Sequence, residues 1–121
     1  MQDMSRATSE KSHSEPRPKV VKIDPSNADY TPLLSGPPET ATMRSGSVVL
    51  LSGQSVGKHS TGEYEEAIVV LAGTGEMRLS DGGTLQLERH SVAYCPPATE
   101  HDVVNIGTEP LRYVYVVAKA R

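Results

Sequence analysis

Between residues 47 and 118 the chain alternates short apolar runs with turn residues. The runs cover 47–52, 67–72, 76–79, 84–88, 92–94, 102–105 and 111–118, and Val, Ile, Thr and Tyr recur in them. Gly, Pro, Asn or Asp stands at the breaks, so each run is predicted as a strand. Asp81-Gly82-Gly83, set between Met77-Arg78-Leu79 and Leu85-Gln86-Leu87, is a strong hairpin signal. No window long enough for a helix keeps a 3.6-residue period. The expected domain is all-β, and a closed barrel or jelly roll is the usual way to protect so many strand edges.

Upstream the pattern changes. Lys19-Val20-Val21-Lys22-Ile23 reads as an edge strand. Residues 24–42 carry Pro25, Pro32, Gly36, Pro37 and Pro38, which exclude a helix or a central strand and predict an extended arm laid over the domain. Residues 1–18 are rich in Ser, Glu, Lys, Arg and Pro and nearly devoid of apolar side chains. Such a segment cannot bury enough surface to offset its ordering entropy, so a disordered tail is expected, with His13 solvated in it. The division is therefore a tail at 1–18, an arm with an edge strand at 19–44, and a barrel at 45–121.

A chain of 121 residues has room for one core. Its hydrophobic fraction of 36% fits a compact domain with part of its length outside the fold. The net charge of −3, with no clustered Lys or Arg, argues against nucleic acid and against a membrane surface. The N-terminus lacks the apolar run of a secretory signal, and no stretch approaches a membrane span. The lone cysteine, Cys95, excludes an intramolecular disulfide and fits a reducing, cytoplasmic setting.

Two segments carry the candidate chemistry. In the first, Gly53, His59, Glu66 and Gly73 stand with five residues between the first pair, six between the second, and four between Thr61 and Glu66. In the second, His90, Pro96, Ala98, His101 and Asn105 recur at fixed intervals. Together these resemble the two motifs of the cupin superfamily, and the resemblance covers roughly residues 45 to 118. It implies a double-stranded β-helix, the jelly-roll barrel of cupins, with metal ligands at His59, Glu66 and His101. The sequence departs from that pattern at three positions. Thr61 stands where the motif has a second histidine ligand, His90 replaces an opening glycine, and Ala98 replaces the glycine of Pro-x-Gly. The last two alter turn chemistry, whereas Thr61 touches the ligand set.

Strand geometry gives the spacing a rationale. His59 and Thr61, two apart, share one face, and Glu66 returns to that side beyond a turn containing Gly62. With His101 from the second segment, two imidazoles and one carboxylate form a facial set suited to a divalent transition metal: Fe, Mn, Ni, Co or Zn. Thr61 is a poor direct ligand but can hydrogen-bond a metal-bound water. Tyr94 is a candidate for lining the pocket beside His59 and His101 in catalysis, and Gln86 and Thr61 for orienting water or substrate. Because strand side chains alternate, only one of Tyr94 and Cys95 faces inward, and Cys95 reads as a small buried hydrophobe. Glu65 points away from Glu66, His90 reads as structural or solvent-facing, and Arg78 is a candidate contact for an anionic substrate. Tyr113 and Tyr115 share one face of the last strand and supply core or dimer contacts.

The resemblance implies a metal-dependent enzyme of dioxygenase, isomerase or lyase type acting on a small polar molecule such as a sugar or organic acid. Two alternatives stand beside it. One is a binding cupin that holds a small ligand without transforming it. The other is a metal-free enzyme in which a histidine does acid–base work. Family resemblance also suggests a homodimer, with residues 20–42 crossing onto the partner.

Overall fold

The computed structural model describes residues 16–120. Nine strands make up its regular structure: β1 (Thr31–Ser35), β2 (Arg44–Leu50), β3 (His59–Ser60), β4 (Tyr64–Ala72), β5 (Thr74–Leu79), β6 (Thr84–Glu88), β7 (Val92–Cys95), β8 (Glu100–Asn105) and β9 (Leu111–Lys119). They form two sheets, a five-stranded one in the order β1-β2-β9-β4-β7 and a four-stranded one in the order β3-β8-β5-β6. Every strand pairing is antiparallel. This is the all-β, jelly-roll architecture that the strand pattern predicts.

Alternation along the strands builds the core. On β4, Glu66, Ile68 and Val70 are buried while Glu65, Ala67 and Val69 face outward. Leu111 and Tyr113 of β9 are buried from the same sheet, and Met77, Leu87 and Val103 come from the other. Burying such side chains contributes about 1.5–3 kcal/mol each, before the entropy of ordering them. The inward face of β4 thus begins with a carboxylate and continues with aliphatic residues, and this sets Glu66 at the margin of the core.

Turns close the strands with few residues. In the β5–β6 hairpin, Asp81 Oδ1 accepts from the Gly83 N–H at 2.7 Å and the Leu79 carbonyl accepts from Gly82 N–H at 3.1 Å. At the other end, buried Asn105 donates through Nδ2 to the carbonyls of Leu50 and Glu109, both at 2.8 Å. Its Oδ1 accepts from Gly107 N–H, so one side chain ties the end of β2 to the β8–β9 turn. Gly73 passes so close to that turn that a Cβ there would collide with the Pro110 carbonyl oxygen.

The edge of the larger sheet differs from the sequence expectation. Residues 19–23 form no strand, and Val20 is 91% exposed. The edge strand is β1, eight residues further on, within the proline-rich stretch. Pro32 sits there because an edge strand has one side free of ladder bonds, and a register shift beside it relaxes the pairing with β2. The arm lies on its own barrel, with Arg112 of β9 donating through Nη1 to the Asn27 carbonyl at 3.0 Å. The tail expected at 1–18, with His13, lies outside the described residues save for 16–18, which are exposed.

Candidate metal centre

Glu66 arrives from β4, His101 from β8 and His59 from the two-residue strand β3. The pairing of β3 with β8 sets His59 directly opposite His101, and their ring centroids are 4.4 Å apart. The donor atoms of His59, Glu66 and His101 all lie within 4.8 Å of one another. His101 is 1% exposed and Glu66 8%, whereas His59 stands at the open side. Three predicted ligands therefore meet at one place, brought there by three strands of two sheets.

The hydrogen bonds define what each ring nitrogen can do. His59 Nδ1 faces the Gly57 carbonyl at 2.8 Å, which fixes the proton on Nδ1 and leaves Nε2 as a free lone pair. That loop is itself held by Asp102, whose Oδ1 accepts from Gly57 N–H at 2.9 Å. His101 Nδ1 faces the Thr99 carbonyl at 3.1 Å, and Nε2 lies 2.9 Å from Glu66 Oε1. Both nitrogens thus face oxygen acceptors, and a neutral ring can serve only one of them. The hydrogen bond to Glu66 raises the His101 pKa above the usual histidine value; burial opposes it, and the Thr99 carbonyl adds to it. Cys95 Sγ lies 3.5 Å from Nδ1, and burial pushes its thiol pKa up, so it is the inert buried residue expected.

These residues fit a divalent metal ion. Nitrogen and oxygen ligands at about 2.0–2.2 Å from an ion stand about 3–4 Å from each other, and the exposed His59 ring is the one placed to close the 4.8 Å spread to that spacing. A cation in place of the Nε2 proton of His101 would satisfy Nε2, Glu66 and the free Nε2 of His59 together. The carbonyls of Thr99 and Gly57 hold the two rings in the tautomer that such binding requires.

The remaining candidates divide. Thr61 is buried and borders the same cavity, but its hydroxyl is already engaged. It donates to the Pro96 carbonyl at 2.7 Å and accepts from Thr99 N–H at 3.1 Å, so its proton is not available to a metal-bound water. Tyr94 is outside the pocket. It is 55% exposed on the outer face of β7, donating to Glu65 Oε1 at 2.8 Å, because alternation gives the inward position to Cys95. Gln86 is also outside. Only Leu87 of β6 is buried, and Gln86 stands exposed opposite Glu76 of β5. Arg78 pairs on the surface with Glu76 at 3.1 Å. His90 and Ala98, which replace motif glycines, keep left-handed backbones at φ of 69° and 53°.

A cavity of about 610 Å³ opens beside the three ligands, between the two sheets. Among its walls are residues that the sequence did not single out for the site: Tyr30, Tyr64 and the valines of β2, β8 and β9. Tyr113 and Tyr115 line it as well. Their two-residue spacing with Val117 on β9 marks one inward face, whereas nothing in the pattern around Tyr30 distinguishes it.

Comparison with known proteins agrees with this architecture. No curated protein matches the chain. Among solved structures, a Bacillus halodurans protein, BH2720, superposes with a TM-score of 0.74 at 20% identity, covering 88% of this chain and 84% of the other. A Cupin 2 conserved barrel domain protein from Salinispora arenicola gives 0.69 at 25% identity, over 86% and 91%. The cupin domain of Schizosaccharomyces pombe Cnp3 gives 0.67 at 20% identity over 74% of this chain, which spans only 63% of that domain. Residues 46–117, well over half of the chain and including all three candidate ligands, match the Cupin domain family, and the chain belongs to it.

Proposed function

We propose that this cupin binds one divalent transition metal through His59, Glu66 and His101, and that it acts on a small molecule held in the adjoining cavity. One observation carries the reading: both ring nitrogens of buried His101 face oxygen acceptors, and one of these is a carboxylate that shares its cluster with the free lone pair of His59. Three protein donors leave coordination positions open on the cavity side. When bound, the metal supplies Lewis acidity, and with Fe or Mn also electron transfer, to an oxygen of the substrate. Glu66 contributes the one negative charge of the set. The Thr99 and Gly57 carbonyls keep the two imidazoles oriented, and valines of β2, β8 and β9 line the cavity beside them. Dioxygenase, isomerase and lyase chemistries all use these elements.

Elemental analysis of untagged protein tests this directly. About one Fe, Mn, Ni, Co or Zn per chain is expected, with loss in His59→Ala and His101→Ala. Parent protein that arrives metal-free and takes up none of these ions would sink the proposal. A second reading draws on the 2.9 Å contact between His101 and Glu66, which also suits a protonated acid beside the free base of His59. Turnover that survives exhaustive chelation would favour it.

Pairing of two barrels belongs to the same proposal. Support comes from an outward row in which Val69 of β4 stands between Val92 of β7 and Val114 of β9, with Val92 70% exposed. Light scattering should return twice the chain mass, and a monomer at micromolar concentration would exclude the pairing.

A further inference from the structure

The composition of the cavity wall narrows what can occupy it. Neither lysine nor arginine is among its lining residues, and its one carboxylate, Glu66, is engaged by His101. The guanidinium of Arg44 is turned to the lining residue Tyr64, donating to its hydroxyl at 3.0 Å and lying 5.9 Å from its ring centroid. An organic acid would find no cationic side chain to receive a second carboxylate. A sugar would bury hydroxyls against Val48, Leu50, Val56, Val103 and Val117, which offer no hydrogen bonds.

What the wall offers besides valine is chiefly aromatic surface, from Tyr30, Tyr64, Tyr113 and Tyr115, with neutral hydroxyls there and at Ser60 as its polar marks. The rings of Tyr30 and Tyr115 are nearly parallel, 12° apart, and their hydroxyl oxygens are 2.6 Å from each other. Gly46 makes this possible. A Cβ on Gly46 would lie 2.7 Å from the Tyr30 hydroxyl and 2.8 Å from Tyr115 Cε2, so any side chain there drives the pair apart. Of the two O–H groups one is spent on the other tyrosine, and one is left for a ligand acceptor. Tyr115 stands across β4 from Ile68, while Glu66 stands across from Val117, the next inward position of β9. The tyrosine pair and the metal ligands therefore flank one cavity, separated by about 7 Å along the strand.

We propose that the cavity selects a flat, uncharged, largely apolar molecule bearing oxygen at its edge, and that Tyr30, Tyr115 and Gly46 set this preference. The proposal deepens the one above and rests on its reading of the cavity as the substrate site. It replaces the expectation of a sugar or organic acid with an aromatic or enol-like class. Walls of valine and tyrosine hold the body of the molecule, and the tyrosine pair reads an oxygen beside the ligand set.

The full chain, zinc-loaded and chelator-treated, would be titrated with 2-naphthol, naphthalene, glucose and oxalate, with bound metal counted on the same samples. In both forms 2-naphthol should bind at least about ten-fold more tightly than glucose or oxalate. The Tyr30→Phe/Tyr115→Phe double variant keeps both rings and should weaken 2-naphthol about three- to ten-fold, the range of one lost hydrogen bond, without weakening naphthalene. Tighter binding of glucose or oxalate would overturn the proposal, as would a double variant that binds 2-naphthol unchanged. Zinc uptake without preference for 2-naphthol defeats this inference alone. Preference for 2-naphthol without zinc uptake upholds it and defeats the metal centre.

Discussion

At His101 the energetics of a single imidazole depend on what occupies Nε2. In metal-free protein that place is taken by a proton shared with Glu66, and the folded pKa lies above the ordinary value. A histidine raised in this way stabilises the fold where it is protonated. Its contribution is complete below about pH 6 and is lost as pH climbs past the unfolded value of about 6.5 and then through the folded one. Urea midpoints of chelated protein should therefore fall as pH rises from about 6 past the unfolded value and through the raised folded one, and His101→Gln should flatten the slope. A parent midpoint that rises over this range would refute the assignment. Ala98 poses a different question at the same scale. Its φ of 53° strains a residue with a Cβ, and its N–H is held by the Gly62 carbonyl at 2.8 Å. Ala98→Gly should stabilise the protein by about 0.5–1 kcal/mol, the relief of strain less the added unfolded-state entropy. Thermal denaturation would measure it, and a lower Tm would contradict it.

Among the elements, the segment from Pro96 to Thr99 has the most consequence for the site, because its last residue gives the carbonyl that orients His101. Thr61 fixes that segment from the adjacent end of β3 by donating to Pro96 and accepting from Thr99. Thr61→Val keeps the shape and removes both bonds, so it should cost about 2 kcal/mol in chemical denaturation. A loss below a few tenths would show that the clamp is unimportant. The strands themselves were largely legible, since runs rich in β-branched residues and bounded by turn residues are written plainly in β4, β8 and β9. β3 was not, because two residues cannot display a period, and β1 was hidden by Pro32, which an edge position tolerates. The three candidate ligands stand together where the motif spacing puts them. Tyr94 and Gln86 were misplaced because a strand pattern gives the alternation of faces but not which face is inward, and the burial of Cys95 and Leu87 decides it.

For the molecule as a whole, two sheets close on a core whose upper margin is polar, and much of the binding site is a continuation of that core. An ion held by residues from three strands joins both sheets, so binding it should stabilise the native state alone. At a free concentration of about one hundred times its Kd, such an ion adds about 2.7 kcal/mol. Calorimetry of chelated protein titrated with Mn(II) or Zn(II) should show Tm rising with concentration, and His59→Ala should abolish most of the rise. An unchanged Tm would mean that folding leaves the ligand cluster indifferent to metal. The division of labour across the chain has a consequence of its own. His59, Glu66 and His101 lie inside the stretch shared with the family, whereas Tyr30 enters from the arm that precedes it. Such an arm can be lengthened, shortened or exchanged without disturbing the ligand set. A change in the arm would thus alter one wall of the cavity, through Tyr30, and leave Gly46, Tyr115 and the candidate ligands of the shared stretch in place.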